Sequence, residues 1–186
     1  MEYLNQMPVI QLVADFTEAD DIIAHVINHE KYKGWHKTII SSDKDFFQLC
    51  REDVSIYRPI QKKVMTKDSI INEFKIHPKN FALARAMAGD ASDNLPGIRG
   101  AGLKTIAKRF PYLVREDEYE VSDIIRDCAM QAKKLKIHEN IQTGETLIKE
   151  NYKIMQLYYP NIRPLNRQLI TKAVNDFDPY FDKIKF

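Results

Sequence analysis

Short apolar runs alternate with helical patterns along the first sixty residues. Three runs rich in β-branched residues predict strands, at Val9–Val13, Lys37–Ile40 and Val54–Tyr57. Between the first two, apolar residues recur every three or four positions over residues 19–27, which predicts a helix with Thr17 as its N-cap. This order of strands and helices is typical of an α/β layer with a mostly parallel sheet.

The pattern after residue 60 is helical. Thr66 is a predicted N-cap, and Pro78 suits the first turn of a second helix that Gly89 ends. A third helix is predicted to begin near Ala101. The remaining predicted elements are a short helix at Phe46–Leu49, helices around 121–136 and 145–157, and an alternative strand at Lys153–Leu157.

These elements predict an α/β fold in two parts. Residues 1–60 would form a small, mostly parallel sheet with its helices, and residues 61–186 would form a helical region. Three strands are few for this much apolar sequence, so we expect strands from outside the chain to complete the sheet.

Composition excludes several classes of protein. The 186 residues carry a formal net charge of +2, so overall charge says little about partners. Cys50 and Cys128 lie far apart, which favours neither a disulfide framework nor a Cys-rich metal site. No stretch has the pattern of a signal peptide or the roughly 20 apolar residues of a membrane span. We therefore expect a globular, cytoplasmic protein with no membrane partner.

Three acidic clusters follow apolar elements. They are Glu18, Asp20 and Asp21; Asp43 and Asp45; and Asp90 and Asp93. In open α/β sheets, sites form at the carboxyl ends of strands. Carboxylates gathered in one cleft would repel one another, and oxygen-only ligands suit Mg²⁺ or Mn²⁺. Each cluster alone is also compatible with helix capping or ordinary turn chemistry, and the sequence leaves both interpretations open.

A basic, glycine-rich turn follows the third acidic cluster. Residues 94–115 contain five lysines and arginines and no acidic residue. Glycines allow backbone N–H groups to converge before a helix, and such a turn suits the phosphates of a nucleic-acid duplex. The alternative is a turn between two helices whose glycines relieve strain and whose lysines are only solvated.

Read together, these segments resemble the 5′-nuclease superfamily, which includes the 5′-nuclease domain of bacterial DNA polymerase I, phage 5′-exonucleases and flap endonucleases. The matching strings are FTEADDIIAHV, TIISSDKDFFQL, VSIYRP and AMAGDASDNLPGIRGAGLKTIAKRF. Their order and spacing match the family over about residues 9–113. The last string joins an acidic cluster to the helix-three-turn-helix element that binds duplex DNA in these enzymes, here at about residues 80–110.

The resemblance implies a two-metal phosphodiesterase, a 5′-3′ exonuclease or flap endonuclease acting on DNA or RNA–DNA hybrids. Two Mg²⁺ or Mn²⁺ ions about 3.5–4 Å apart would activate water and stabilise the leaving oxygen. The implied catalytic metal ligands are Glu18 and Asp20, with Asp21 contributing, for the first ion; Asp43 and Asp45 for the first or second ion; and Asp93, supported by Asp90, for the second ion.

The resemblance also implies a duplex contact and a second cation. The implied DNA-binding residues are Gly97, Arg99, Gly100, Gly102, Lys104, Thr105 and Lys108. Turns of this type in the family also bind K⁺ through backbone carbonyls, so K⁺ is an additional implied cofactor.

The resemblance covers the carboxyl-terminal part of the family's nuclease region. Family members carry about a hundred further residues before the acidic motif at Glu18, including a strand with a metal-binding aspartate and a basic helical arch. We therefore expect a partner chain that supplies this part. The alternative is a non-catalytic duplex-DNA-binding module with an incomplete metal site.

Overall fold

The computed structural model describes residues 8–133 and 135–178 and has a mixed α/β architecture. The chain divides into two compact units. One combines the segment through Trp35 with the segment from Tyr159 onward, and the other comprises His36–Tyr158. The boundary predicted at residue 60 falls within the second unit.

A three-stranded sheet lies in the unit His36–Tyr158. Strand β1 (Lys37–Ile40) runs parallel to β2 (Val54–Arg58), with Lys37 opposite Val54. Strand β3 (Lys63–Met65) pairs antiparallel with β2, so the order is β1-β2-β3. The first two strands confirm their predictions. The expectation of a mostly parallel sheet is wrong for the described residues, because one of the two pairings is antiparallel.

Helices account for most of the regular secondary structure in the second unit. Their bounds are α2 (Lys67–Phe74), α3 (Phe81–Ala88), α4 (Leu103–Arg109), α5 (Val121–Met130), α6 (Lys136–Thr143) and α7 (Glu145–Met155), with a short 3₁₀ helix at Asp45–Leu49. Thr66 caps α2 as predicted, because its hydroxyl accepts from the backbone N–H of Ser69 while the Ser69 hydroxyl accepts from that of Thr66. The rings of Phe47, Phe74 and Phe81 contact one another with centroids 5.3–5.7 Å apart and anchor the core.

The other unit is built on two helices, α1 (Ala19–Ile27) and α8 (Pro164–Asp176). The buried core of this unit comprises Ile22 of α1, Ile170 and Val174 of α8, and Ile162, which lies just before α8. Lys31 donates to the carbonyl oxygens of Val174, at 2.7 Å, and Asn175, at 3.1 Å. A cation at the carboxyl end of α8 complements the helix dipole, so Lys31 ties the two segments of this unit together.

Two predicted strands are wrong. Residues 9–13 have no regular structure; Leu12 and Ala14 pack against the core of the first unit, whereas Val13 is exposed. Side-chain burial can therefore alternate residue by residue in an irregular segment that packs on a core, without forming a strand. Residues 153–155 continue α7, because Ile148, Asn151 and Met155 are buried at helical spacing.

Two predicted helix starts are displaced. The N-cap of α1 is Glu18, while the Thr17 hydroxyl donates to the carbonyl of Asp15 and accepts from the Asn166 side chain. Helix α4 begins at Leu103 rather than near Ala101. Across the described ranges, none of the helices is both long and apolar enough for a bilayer crossing.

The turn between α3 and α4 depends on a close backbone approach. Gly89 ends α3 with φ +74°, as predicted for a helix-ending glycine. A Cβ built on Gly97 would lie 1.9 Å from the carbonyl oxygen of Ala88, and one on Gly89 would lie 2.3 Å from the Gly97 nitrogen. Neither position accepts a side chain unless the backbone moves.

This contact generates a prediction about stability. We expect Gly97→Ala to lower the free energy of unfolding by about 2–3 kcal/mol, because the added methyl overlaps backbone atoms. Gly102→Ala is the matched control, because no atom of the described residues lies within 4 Å of a Cβ built on Gly102. Urea unfolding followed by circular dichroism measures both variants. Equal losses in the two would show that the Gly89–Gly97 approach does not limit stability.

Candidate metal centre

Carboxylates from two distant segments meet in the unit His36–Tyr158. Asp45, Asp90 and Asp93 each place one carboxylate oxygen so that all three oxygens lie within 4.8 Å of one another. Asp45 and Asp90 are partly buried, whereas Asp93 is exposed. The arrangement joins the second and third acidic clusters of the sequence, and its oxygen-only donors suit a Mg²⁺- or Mn²⁺-sized cation.

Asp45 is positioned by a turn that follows β1. The backbone N–H of Asp43 donates to the Ser41 hydroxyl at 3.1 Å, and that of Asp45 donates to Asp43 Oδ1 at 2.8 Å. Such turns use side-chain oxygens in place of backbone acceptors. Asp43 is exposed and lies outside the group of three, although one of its oxygens fixes the backbone of Asp45.

Asp90 and Asp93 are positioned by the loop that Gly89 and Gly97 close. Asp90 and Leu95 exchange two backbone hydrogen bonds, both at 2.8 Å. The buried Asn151 side chain donates to the carbonyl oxygens of Ala86, at 3.0 Å, and Pro96, at 2.9 Å. Helix α7 therefore holds both ends of the loop that carries the third acidic cluster.

Arg85 connects the two segments electrostatically. Its Nε donates to Asp45 Oδ1 at 2.8 Å, and its Nη2 donates to Asp90 Oδ2. The Arg85 side chain is 10% exposed, and those of Asp45 and Asp90 are 13% and 16% exposed. One guanidinium thus forms ion pairs with two carboxylates that lie 45 positions apart in the chain.

The two carboxylates have opposite pKa shifts. Burial raises the pKa of Asp45, and the charges of Asp43 and Asp90 add to this effect while Arg85 opposes it. The pKa of Asp90 is lowered to about 2, first because the Ser92 hydroxyl donates to it, and also because of Arg85 and the Ser92 backbone N–H. Asp90 is therefore held ionised within a network of donors.

The first acidic cluster lies in the other unit. Glu18 is the exposed N-cap of α1, Asp20 is half-buried and Asp21 is buried in the first turn. Asp21 Oδ1 accepts from the backbone N–H of Asn161 at 2.8 Å, which ties α1 to the segment preceding α8. Asp21 thus has a structural contact of its own. That Glu18, Asp20 and Asp21 join the Asp45–Asp90–Asp93 group stays a prediction.

The predicted DNA-contact residues follow the loop directly. Arg99, Gly100, Gly102, Lys104 and Lys108 are exposed. The remaining two are Gly97, whose backbone is confined against Ala88, and Thr105, which is half-buried. The Arg99 carbonyl accepts from the Asn140 side chain at 3.0 Å. Lys104 and Lys108 are one helical turn apart on α4, so their charges project from the same side of that helix.

Two contributors to the site were missed in the sequence. Arg85 is the one charged residue among the eight of α3, FALARAMA, and a lone cation in a buried apolar helix is a readable signal of a buried ion pair. Asn151 offers no comparable signal, because its role depends on two carbonyl groups that only the fold brings together.

The Asp90 network leads to a prediction at acid pH. Because the folded-state pKa of Asp90 lies below its ordinary value of 3.8, its contribution to stability is present above pH 3.8 and is lost as the pH falls toward 2. Between pH 5 and pH 3, with EDTA present, wild type should lose about 1 kcal/mol more unfolding free energy than Asp90→Asn. Urea titrations give the values, with the exposed Asp117→Asn as control. If Asp90→Asn loses as much unfolding free energy as wild type between pH 5 and pH 3, the lowered pKa of Asp90 is contradicted.

Comparisons with known proteins find similarity to nucleases. Residues 1–75 match the family model described as "5'-3' exonuclease, N-terminal resolvase-like domain". A 5′-3′ exonuclease of Aquifex aeolicus is 41% identical over 88 residues, covering 47% of this chain and 30% of the relative. Flap endonuclease Xni of Pseudoalteromonas translucida is 31% identical over 125 residues, covering 67% of this chain and 47% of the relative.

The fold is also similar to solved structures. The T5 5′-exonuclease with bound divalent zinc ions superposes with a TM-score of 0.72 at 22% identity, covering 87% of this chain and 60% of that one. Another structure is a complex of the bacteriophage T5 flap endonuclease with DNA and metal ions. The chain spans less than half the length of the two curated relatives above. The resemblance predicted from the sequence motifs is confirmed: the chain is similar in sequence to 5′-3′ exonucleases and a flap endonuclease, and its fold is similar to that of the T5 5′-exonuclease.

Proposed function

We propose that this chain acts in a divalent-metal-dependent 5′ nuclease that hydrolyses phosphodiester bonds in DNA or RNA–DNA hybrids, as a 5′-3′ exonuclease or flap endonuclease. The observation that carries the proposal is the convergence of the Asp45, Asp90 and Asp93 carboxylates within 4.8 Å. Their chain positions match the acidic motifs of the family. Fold and family support nuclease chemistry rather than a structural ion-pair network.

Asp45 and Asp93 are the residues of this unit best placed to hold a cation. Three carboxylate oxygens within 4.8 Å fit the donor set that Mg²⁺ or Mn²⁺ takes in proteins. Such ions, when bound, would activate a water molecule and stabilise charge on the leaving 3′-oxygen. Glu18, Asp20 and Asp21 are proposed as the ligands that the other unit contributes, and Asp43 as a neighbouring ligand or orienting group.

The turn from Gly97 to Lys108 is the proposed duplex contact. Arg99, Lys104 and Lys108 are exposed and free of acidic neighbours in sequence over residues 94–115. Contacts of lysine and arginine with phosphates position a duplex without reading its sequence. Helix α3 precedes this segment and α4 begins within it, as expected for a helix-three-turn-helix element. K⁺ bound by carbonyl groups of the turn is part of the same proposal.

A partner chain carrying the remaining nuclease region is also proposed. In the described residues, β1 has β2 as its one strand neighbour, and Ile40 at the end of β1 is 72% exposed. An open strand edge with an exposed apolar residue is a common site of strand addition. The assay below therefore includes the chain alone and the chain mixed with an amino-terminal nuclease region from a relative.

Cleavage of a 5′-flap duplex is the direct test. With Mg²⁺ or Mn²⁺ we expect cleavage that EDTA abolishes and that Asp93→Asn lowers at least about 100-fold, because an exposed cation ligand is lost. Asp93→Asn is preferred to an Asp45 variant because Asp93 is exposed and should fold normally. Asp117→Asn is the control. DNA binding that survives EDTA, without cleavage by the chain alone or by the mixture, favours a non-catalytic duplex-binding module. This result would contradict the proposed nuclease function.

The salt dependence of duplex binding tests the basic turn separately. Lys104→Ala combined with Lys108→Ala should reduce the slope of log affinity against log salt by about 1–2, since each lost phosphate contact removes about 0.9. Lys153→Ala combined with Lys172→Ala is the charge-matched control, because both lysines are exposed on other helices. Fluorescence anisotropy at several salt concentrations gives the slopes. A slope that is the same in the two double variants excludes this turn as the contact.

A further inference from the structure

We infer that Arg85 is the internal counter-ion of the acidic centre: a positioning residue that holds Asp45 and Asp90 together without metal and sets how tightly the centre binds a divalent cation. The inference rests on the proposed function, because it concerns the same carboxylates. It adds a residue that the acidic motifs do not include.

The location of Arg85 requires a compensating partner. Six of the other residues of α3 are buried hydrophobic residues, and Arg85 itself is 8% exposed. A guanidinium buried in an apolar helix is costly unless its charge and its N–H groups are satisfied. Asp45 and Asp90 satisfy them from two separate segments, so the arginine fixes the spacing of those segments.

The hydrogen bonds assign different roles to the carboxylates. Both oxygens of Asp90 are used, Oδ2 by Arg85 and Oδ1 by the backbone N–H and hydroxyl of Ser92. Asp45 uses Oδ1 for Arg85, and within residues 8–133 and 135–178 no hydrogen bond reaches its Oδ2 or the Asp93 carboxylate. Asp45 and Asp93 therefore offer oxygens to a cation, while Asp90 acts through Arg85.

The same arrangement fixes the sign of the electrostatic effect. The positive charge of Arg85 offsets the repulsion between Asp45 and Asp90, and it also opposes a divalent cation that approaches Asp45. Removing that charge leaves the carboxylates uncompensated and should strengthen cation binding. Removing a carboxylate together with Arg85 should restore the original balance. A residue that served only to fill space in α3 would produce neither effect.

The test is the dissociation constant of Mn²⁺, measured on the full chain by electron paramagnetic resonance without substrate. We expect Arg85→Gln to bind Mn²⁺ about tenfold more tightly than wild type. The double variant Arg85→Gln/Asp90→Asn should return to within about threefold of wild type, and Arg85→Lys, which keeps the positive charge, should stay close to wild type. Arg126→Gln is the control, because Arg126 is an exposed arginine paired with Asp123.

Thermal unfolding in EDTA and in Mn²⁺ supplies a second readout. Arg85→Gln should melt lower than wild type in EDTA and should gain more from Mn²⁺, because tighter binding to the folded state stabilises it more. If Arg85→Gln lacks a folded baseline, Arg85→Met takes its place, because it also removes the charge, with a rise in Mn²⁺ affinity still expected.

Three results would overturn the inference: unchanged or weaker Mn²⁺ binding in Arg85→Gln, no return toward wild type in the double variant, or no Mn²⁺ binding by wild type. The last would also remove the metal centre. Tighter binding in Arg85→Gln by a chain that cleaves no DNA, either alone or mixed with the amino-terminal nuclease region, would support the inference and contradict only the nuclease function. The two failures are therefore distinguishable.

Discussion

Mutual repulsion among closely spaced carboxylates is the constraint on which the centre of this protein depends. Asp45 and Asp90 approach each other in a partly buried region, where charges are screened less than at the surface. Arg85 is placed between them and offsets the repulsion. Without such a counter-charge, the fold would have to separate the segments or bind a cation to keep them together. The acidic centre and the buried arginine are thus one electrostatic unit.

The backbone makes this approach possible. The contact between Gly89 and Gly97 brings the end of α3 against the loop that carries Asp90 and Asp93, at a distance that excludes side chains. Asn151 holds the same loop from α7, and Ser92 orients the Asp90 carboxylate. Rigid packing therefore positions groups whose charges alone would drive them apart. This is the preorganisation that a metal-binding site requires.

The acidic loop is also continuous with the basic turn. Gly97 belongs to the close backbone contact, and the exposed cations of the turn begin two residues later at Arg99. A duplex held by that turn would lie beside the carboxylate centre, since few residues separate the two.

Local patterns in the sequence determined β1, β2, the Thr66 cap of α2 and the end of α3 at Gly89, because each depends on residues close together in the chain. The motifs also identified the carboxylates that converge, although their meeting stays a prediction for those on α1. Strand β3 was not predicted, because only Met65 of its three residues is buried and so short a strand has no apolar pattern in the sequence. The strand predicted at residues 9–13 is wrong because an apolar, β-branched run forms a strand only where a neighbouring strand pairs with it, and none does so within the described residues.

The tertiary structure alone decided what Arg85 and Asn151 do. Their partners lie 5 to 65 positions away, and hydrogen bonds over the longer separations depend on packing that no local pattern encodes. It also decided which carboxylate oxygens accept hydrogen bonds from protein donors within the described residues. The sequence by itself supplied the charged groups and their order. The fold determined their distances, and electrostatic energy depends on distance.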